Sequence, residues 1–224
     1  MIPPSTSWHL GFDLGQRRDF TALTTLSCEW TIQGRDPVSW DWIRDPRLIL
    51  RDMERFPLGT SYLLYTQILD DRLSQIGGLV PAFTSQCVTL TVDAGGPGAP
   101  VVDELRRARL NLNLKPLVIT GGHEPGLTPG GWLTVPRKVL LTNLILLIDH
   151  GKLVTPKELE AWPILLEEML DLNAVTSHPN KTSNHDDMVM SLALGAWQAT
   201  RQHPELLPAR MSATARWSPT GSLF

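Results

Sequence analysis

Apolar and polar residues alternate with a period of two over residues 8–14, with Trp8, Leu10, Phe12 and Leu14 on one side and His9, Gly11 and Asp13 on the other. That period marks a strand, and it predicts a first strand that presents Asp13 near its end. The segment 20–30, FTALTTLSCEW, is rich in threonine and apolar residues and predicts a second strand that returns as a hairpin after the turn GQRRD. Residues 31–46, with two prolines, two tryptophans and several charges, predict a surface excursion before a third strand at about 47–55. Leu64, Ile68, Leu69, Leu73 and Ile76 recur at helical spacing, so an amphipathic helix is expected over 61–76, ended by Gly77-Gly78.

The strand alternation returns over 87–93, where Val88, Leu90 and Val92 oppose Thr89, Thr91 and Asp93. A helix with Pro100 in its first turn follows, and then a fifth strand at about 114–120. The glycine- and proline-rich stretch 121–134 predicts a loop or a loosely paired hairpin. Helices are expected at about 136–150 and 156–170 around the short strand KLV, then a polar loop at 171–184 and a final helix at 185–202. Residues 205–224 carry no periodicity and read as a flexible tail. The order predicts one α/β domain over residues 1–204, with a mixed five-stranded sheet, antiparallel at its start, and flanking helices.

Asp13 and Asp93 thus end strands on equivalent faces, each before a glycine-containing turn. If those strands are parallel neighbours, the two carboxylates meet at the carboxyl edge of the sheet, where α/β proteins bind ligands. The alternative is that each aspartate caps the turn that follows it. Asn184 can cap the last helix, which leaves His185, Asp186 and Asp187 in its first turn, where the helix dipole favours negative charge. The residues after them, MVMSLALGAW, are apolar nearly all round, so the helix is expected to be buried with its acidic end against the sheet. Carboxylates gathered in this way repel one another unless a cation neutralises them. A divalent metal held by Asp13, Asp93 and the aspartates of the last helix is the simplest resolution, and a metal-dependent nuclease is the chemistry that such a cluster serves.

Composition tempers this reading without overturning it. A formal charge of −3 and a pI near 6.1 do not announce a nucleic-acid binder. A carboxylate site contributes to that charge, however, and Arg17-Arg18, Arg106-Arg107-Arg109 and Arg137-Lys138 supply local basic groups. Arg137 and Lys138 open a helix after Pro136, where amides and positive charge can hold a phosphate; ordinary solvent-facing charge is the alternative. His123 reads as a solvated loop histidine. Cys28 and Cys87 lack the spacing of a zinc site and read as reduced residues of a cytoplasmic protein. No apolar stretch is long enough to span a bilayer.

GFDLGQRRDFTALTTL, RDMERFPLGTSY, VTLTVDAGGPGAPVVDELRR, WLTVPRKVLLTNLILLIDHGKLVTP, a following helix with LEEML, and NHDDMVMSLALGAW resemble, in order and spacing, the nuclease domain of viral (phage) terminase large subunits. The resemblance covers most of residues 8–200. It implies an RNase H-like fold and an endonuclease that cuts double-stranded viral DNA during packaging with two Mg²⁺ or Mn²⁺ ions. Asp13, Asp93 and Asp187 are then the metal-binding triad, with Asp186, His185 and Asp19 auxiliary and Arg17, Arg18, Arg137 and Lys138 on the DNA-binding face. It also implies a bacterial host cytoplasm as the setting, with a packaging ATPase domain, a small terminase subunit and a portal as partners. No GxxxxGK[ST] phosphate loop occurs in the sequence, so this is either a part of a longer chain or a nuclease that stands alone.

Two rival functions remain. GFDLG and VDAGG also resemble the phosphate loops of the actin and sugar-kinase superfamily, which ATP turnover would reveal. A DNA-docking or assembly module without catalysis would bind DNA and leave it intact in Mn²⁺.

Overall fold

The two alternating segments become neighbouring strands at the middle of one sheet. The computed structural model describes residues 6–15, 19–80, 83–96, 98–177 and 186–207. Its strands are β1 (Ser7–Asp13), β2 (Thr21–Arg35), β3 (Trp42–Phe56), β4 (Val88–Asp93), β5 (Asn113–Thr120), β6 (Gly126–Leu127), β7 (Leu133–Pro136) and β8 (Leu153–Val154). Its helices are α1 (Tyr62–Leu79), α2 (Gly98–Ala108), α3 (Arg137–Asp149), α4 (Trp162–Ser177) and α5 (Asp187–Gln202), followed by a 3-10 turn at Pro204–Leu206. The sheet order is β6-β7-β5-β4-β1-β2-β3-β8. β1 runs antiparallel to β2, and β2 to β3, whereas β1, β4, β5 and β7 are successively parallel.

Both faces of the sheet are covered. Trp8, Leu10 and Phe12 of β1 and Val88, Leu90 and Val92 of β4 pack against Leu69 and Ile76 of α1 and Val102 and Leu105 of α2. On the opposite face, Ala22, Leu26, Leu48 and Leu50 belong to a core with Leu140 and Leu147 of α3, Leu165 of α4 and much of α5. The more polar residues of β1 and β4 therefore meet a helix rather than water. Thr24 Oγ1 and Ser191 Oγ lie 2.7 Å apart, and Gln202 Nε2 donates to Thr89 Oγ1 at 2.9 Å, so these three hydroxyls are partnered, whereas the buried Thr91 Oγ1 beside them is not.

Gly11 sets how closely α5 lies on the sheet. A Cβ there would stand 1.8 Å from the Ser191 carbonyl oxygen and 2.6 Å from the Gly195 nitrogen. Both obstacles are backbone, so no rotamer change relieves them. Gly11→Ala is expected to cost about 3 kcal/mol by overpacking, read as a lower urea midpoint. A midpoint equal to wild type would show that α5 can move off β1 freely.

Several expected boundaries shift for physical reasons. The sheet has eight strands rather than five, because the short strand expected at KLV joins it as β8 and because β6 and β7 are short segments joined by backbone pairing and too short to carry a period. The glycine-rich stretch contains the paired hairpin β6–β7. The excursion at 31–46 is the extension of β2 and β3, paired out to Arg35 and Trp42. Helix α1 passes through Gly77-Gly78 to Leu79, since buried Leu73 and Ile76 hold its last turns against the sheet. Helix α4 starts at Trp162 rather than 156 and runs to Ser177, into the segment expected to be a loop. α5 starts at Asp187, with Asp186 at its N-cap position; Asn184 lies outside the described residues. Packing continues past residue 204, because Leu206 and Leu207 are buried in the core beside α5; residues 208–224 lie outside the described residues.

At the end of β1 away from Asp13, Ser7 Oγ lies 3.0 Å from His9 Nε2 and 2.7 Å from His203 Nε2, tying the first strand to the end of α5. Trp30 stands edge-on to His203. Cys28 and Cys87 are both free thiols, and burial pushes Cys28 up to about 12. His9 is fully buried, and burial, helped by His203, pushes its pKa down to about 3.

A histidine held neutral in the folded state stabilises the protein only above its unfolded pKa of 6.5, and that stability drains as pH falls from 6.5 toward 3. At pH 5 the loss is about 2 kcal/mol relative to pH 7, from 1.36 kcal/mol per unit. Raised carboxylates on Asp13 and Glu168 act in the opposite direction over part of this range. The comparison is therefore with His9→Asn, whose loss between pH 7 and 5 in urea unfolding should be smaller by that amount. Identical pH slopes would rule the effect out.

Candidate metal centre

Parallel pairing of β1 and β4 brings Phe12 opposite Val92, so Asp13 and Asp93 end neighbouring strands in one row on the α5 face. Asp187, the first residue of α5, is 6% exposed and faces the same strand ends. The carboxyl group of Asp13 is held well above its ordinary value by burial first, then by Asp93 and Asp187. Glu168 adds to this, and among the groups acting on Asp13 only Arg137 lowers it.

Asp93 takes the capping role weighed from the sequence. Its Oδ1 accepts from the Gly95 amide at 2.9 Å, as a turn cap does, and also from the Ile119 amide of β5 at 3.3 Å. Those two bonds orient the carboxylate at the sheet edge. Burial raises its pKa, while the two amides pull it back.

The adjacent aspartates of α5 part company. Asp186 is partly exposed and ion-paired with Arg137, the first residue of α3, whereas Asp187 is buried toward Asp13. Lys138, next to Arg137, donates to His123 Nδ1 at 2.6 Å, so the two exposed side chains meet near this edge of the sheet. Asp19 is exposed in the turn between β1 and β2 and is not among the groups acting on Asp13. His185, Arg17 and Arg18 lie outside the described residues.

Glu168 was not singled out from the sequence. It is 4% exposed on α4, and its Oε2 accepts from the amides of Met188 and Val189 at 2.9 and 3.1 Å. Burial pushes its carboxyl up to about 7, with Asp187 adding to the rise while the two amides and Arg55 oppose it. Arg55 Nη1 lies 3.6 Å from Glu168 Oε1, and its guanidinium stacks 4.4 Å above the Phe20 ring. Beyond them opens a groove of about 610 Å³ whose walls include Asp52, Glu54 and Glu160. Those acidic walls do not suit a phosphate backbone.

Among the described residues, no group of three or more His, Cys, Asp or Glu side chains is arranged to hold a metal ion as it stands. The donor chemistry nevertheless suits one. Carboxylate oxygens are the ligands of hard divalent cations, and here they face one another in a buried place that raises Asp13.

No protein-family model and no curated protein sequence matches the chain. Solved structures do. The nuclease domain of the human cytomegalovirus terminase superposes with a TM-score of 0.56 over 93% of this chain and 89% of that one, at 9% identity. The chain has the fold of that terminase nuclease domain. The same viral domain soaked in manganese superposes with a TM-score of 0.55 over 92% of this chain and 88% of its own, at 12% identity. The large terminase nuclease of thermophilic phage G20c aligns over 86% of this chain and 82% of its own at 18% identity, with a TM-score of 0.43. The observed fold agrees with the α/β expectation of a mixed sheet with flanking helices, with the sheet enlarged to eight strands. No helix among the described residues is long and apolar enough to cross a membrane.

Proposed function

We propose that this chain is a divalent-metal-dependent endonuclease of the terminase type, acting on double-stranded DNA. The observation that carries the reading is Asp13, half-buried at the end of a central strand beside Asp93 and raised by desolvation, then by Asp93 and Asp187 on adjoining elements. A cation relieves that repulsion directly. Two Mg²⁺ or Mn²⁺ ions held there supply an activated water and stabilise charge on the leaving oxygen.

The chain's own residues do the rest. Asp13, Asp93 and Asp187 would hold the ions, and no side chain would serve as the nucleophile. Arg137, Lys138 and His123 lie on the flank where a phosphate backbone is to be bound, with Arg17 and Arg18 proposed to extend it. A packaging ATPase domain, a small terminase subunit and a portal are the proposed partners, in a bacterial host cytoplasm.

The test is nicking of supercoiled plasmid with Mn²⁺, Mg²⁺ or EDTA. Cleavage is expected with either metal and none in EDTA, with no response to ATP and steep suppression by salt through counterion competition. The lack of a ready-made ligand group among the described residues favours one other reading, a DNA-docking module without catalysis. DNA binding with no nicking in Mn²⁺ would select it.

A further inference from the structure

Asp186 occupies the N-cap position of α5 but makes no capping hydrogen bond, its carboxylate being paired with Arg137. The first amides of a helix lack partners within the helix, and a buried unpaired amide is costly. At α5 that need is met from another helix: the amides of Met188 and Val189 both donate to Glu168 Oε2 of α4. Glu168 is in turn approached by Arg55 of β3. Arg55 lies in the cross-strand row that runs through Ala22 to Asp13. One chain of contacts therefore joins the sheet edge, α4 and the residue directly after Asp187.

We propose that Glu168 is a positioning residue: by capping α5 from α4 it fixes the direction in which Asp187 faces Asp13 and Asp93. This rests on the nuclease reading for its consequence, though not for its geometry. The rest of α5 is buried along nearly its whole length, so losing the cap loosens the first turn and leaves the helix in place. The effect falls on the site and not on the fold.

Two substitutions separate the cap from the charge. Glu168→Gln keeps an oxygen acceptor of the same reach, and Glu168→Met keeps the volume and removes the acceptor. In the metal-free protein, hydrogen exchange of the Met188 and Val189 amides should stay slow in wild type and Glu168→Gln, and accelerate at least about tenfold in Glu168→Met. In Mn²⁺ titrations followed by electron paramagnetic resonance, Glu168→Met should bind at least about tenfold more weakly, and Glu168→Gln within about threefold of wild type.

Unchanged exchange in Glu168→Met overturns the cap. Faster exchange with undiminished Mn²⁺ affinity overturns the positioning role. Equal loss in both variants makes charge, not the cap, the property that matters, and also overturns it. If Glu168→Met does not fold, Glu168→Gln decides alone, because lost affinity with retained amide protection contradicts the proposal. If wild type binds no Mn²⁺, the nuclease reading fails by itself. The position of Asp187 in a crystal structure of Glu168→Met then decides: displacement supports the proposal, and an unmoved carboxylate sinks it.

Discussion

Replacing Asp13 with asparagine is expected to lower metal-dependent cleavage by about a thousandfold or more while making the metal-free protein more stable. Asparagine matches aspartate in shape, so the strand end and its neighbours are undisturbed, but a neutral amide cannot serve as a shared anionic ligand. The stability change has the opposite sign for the same reason. A carboxyl raised in the folded state contributes stability below its unfolded pKa and loses it as pH rises through the folded value. At neutral pH, wild type therefore bears the cost of burying Asp13 beside Asp93, Asp187 and Glu168. The variant does not. Melting curves in EDTA should shift upward, and the further rise that Mn²⁺ gives wild type should disappear. Cleavage within tenfold of wild type, or a lower melting temperature in EDTA, would remove Asp13 from the centre.

That prediction could be approached from the sequence because the alternation that makes β1 and β4 strands also fixes which side Asp13 and Asp93 occupy. Their adjacency follows from a parallel crossover, and the pairing of β1 with β4 bears it out. What the alternation could not reveal is what covers that side. His9, Gly11, Thr89 and Thr91 read as a less apolar face, yet they are the seat of α5, packed closely because Gly11 has no side chain.

Glu168 was hidden for a related reason. In the run LeuLeuGluGluMetLeu it looks like ordinary helix-surface charge. Only the approach of α4 to the start of α5 turns one of the two glutamates inward. Asp186 and Asp187 are sequence neighbours with identical chemistry, one at the N-cap position and the other in the first turn of α5. The partner across the site, Arg137 on α3, is what distinguishes them. The edge strand β6, two residues long, is held by backbone bonds whose donors and acceptors every residue possesses, whereas β8 falls within the short strand expected at KLV.

The end of the chain gives the second large effect. Loss of periodicity after residue 203 suggests that 205–224 can be removed without consequence, but Leu206 is fully buried and Leu207 nearly so. The 3-10 turn that ends on Leu206 and is capped by Leu207 packs against β3 and α5, and both leucines belong to the core that contains Leu48 and Leu50. Each buried leucine truncated to alanine costs about 2–5 kcal/mol, so deleting both is expected to cost about 4–10 kcal/mol. Against a total stability of about 5–15 kcal/mol, that places the shortened protein near the edge of unfolding. A chain ending at Leu207 keeps these contacts and isolates the contribution of residues 205–207. Urea unfolding of the two truncations should give a far lower midpoint for the chain ending at Pro204. Coincident midpoints would mean that the leucines lie on the core without holding it together.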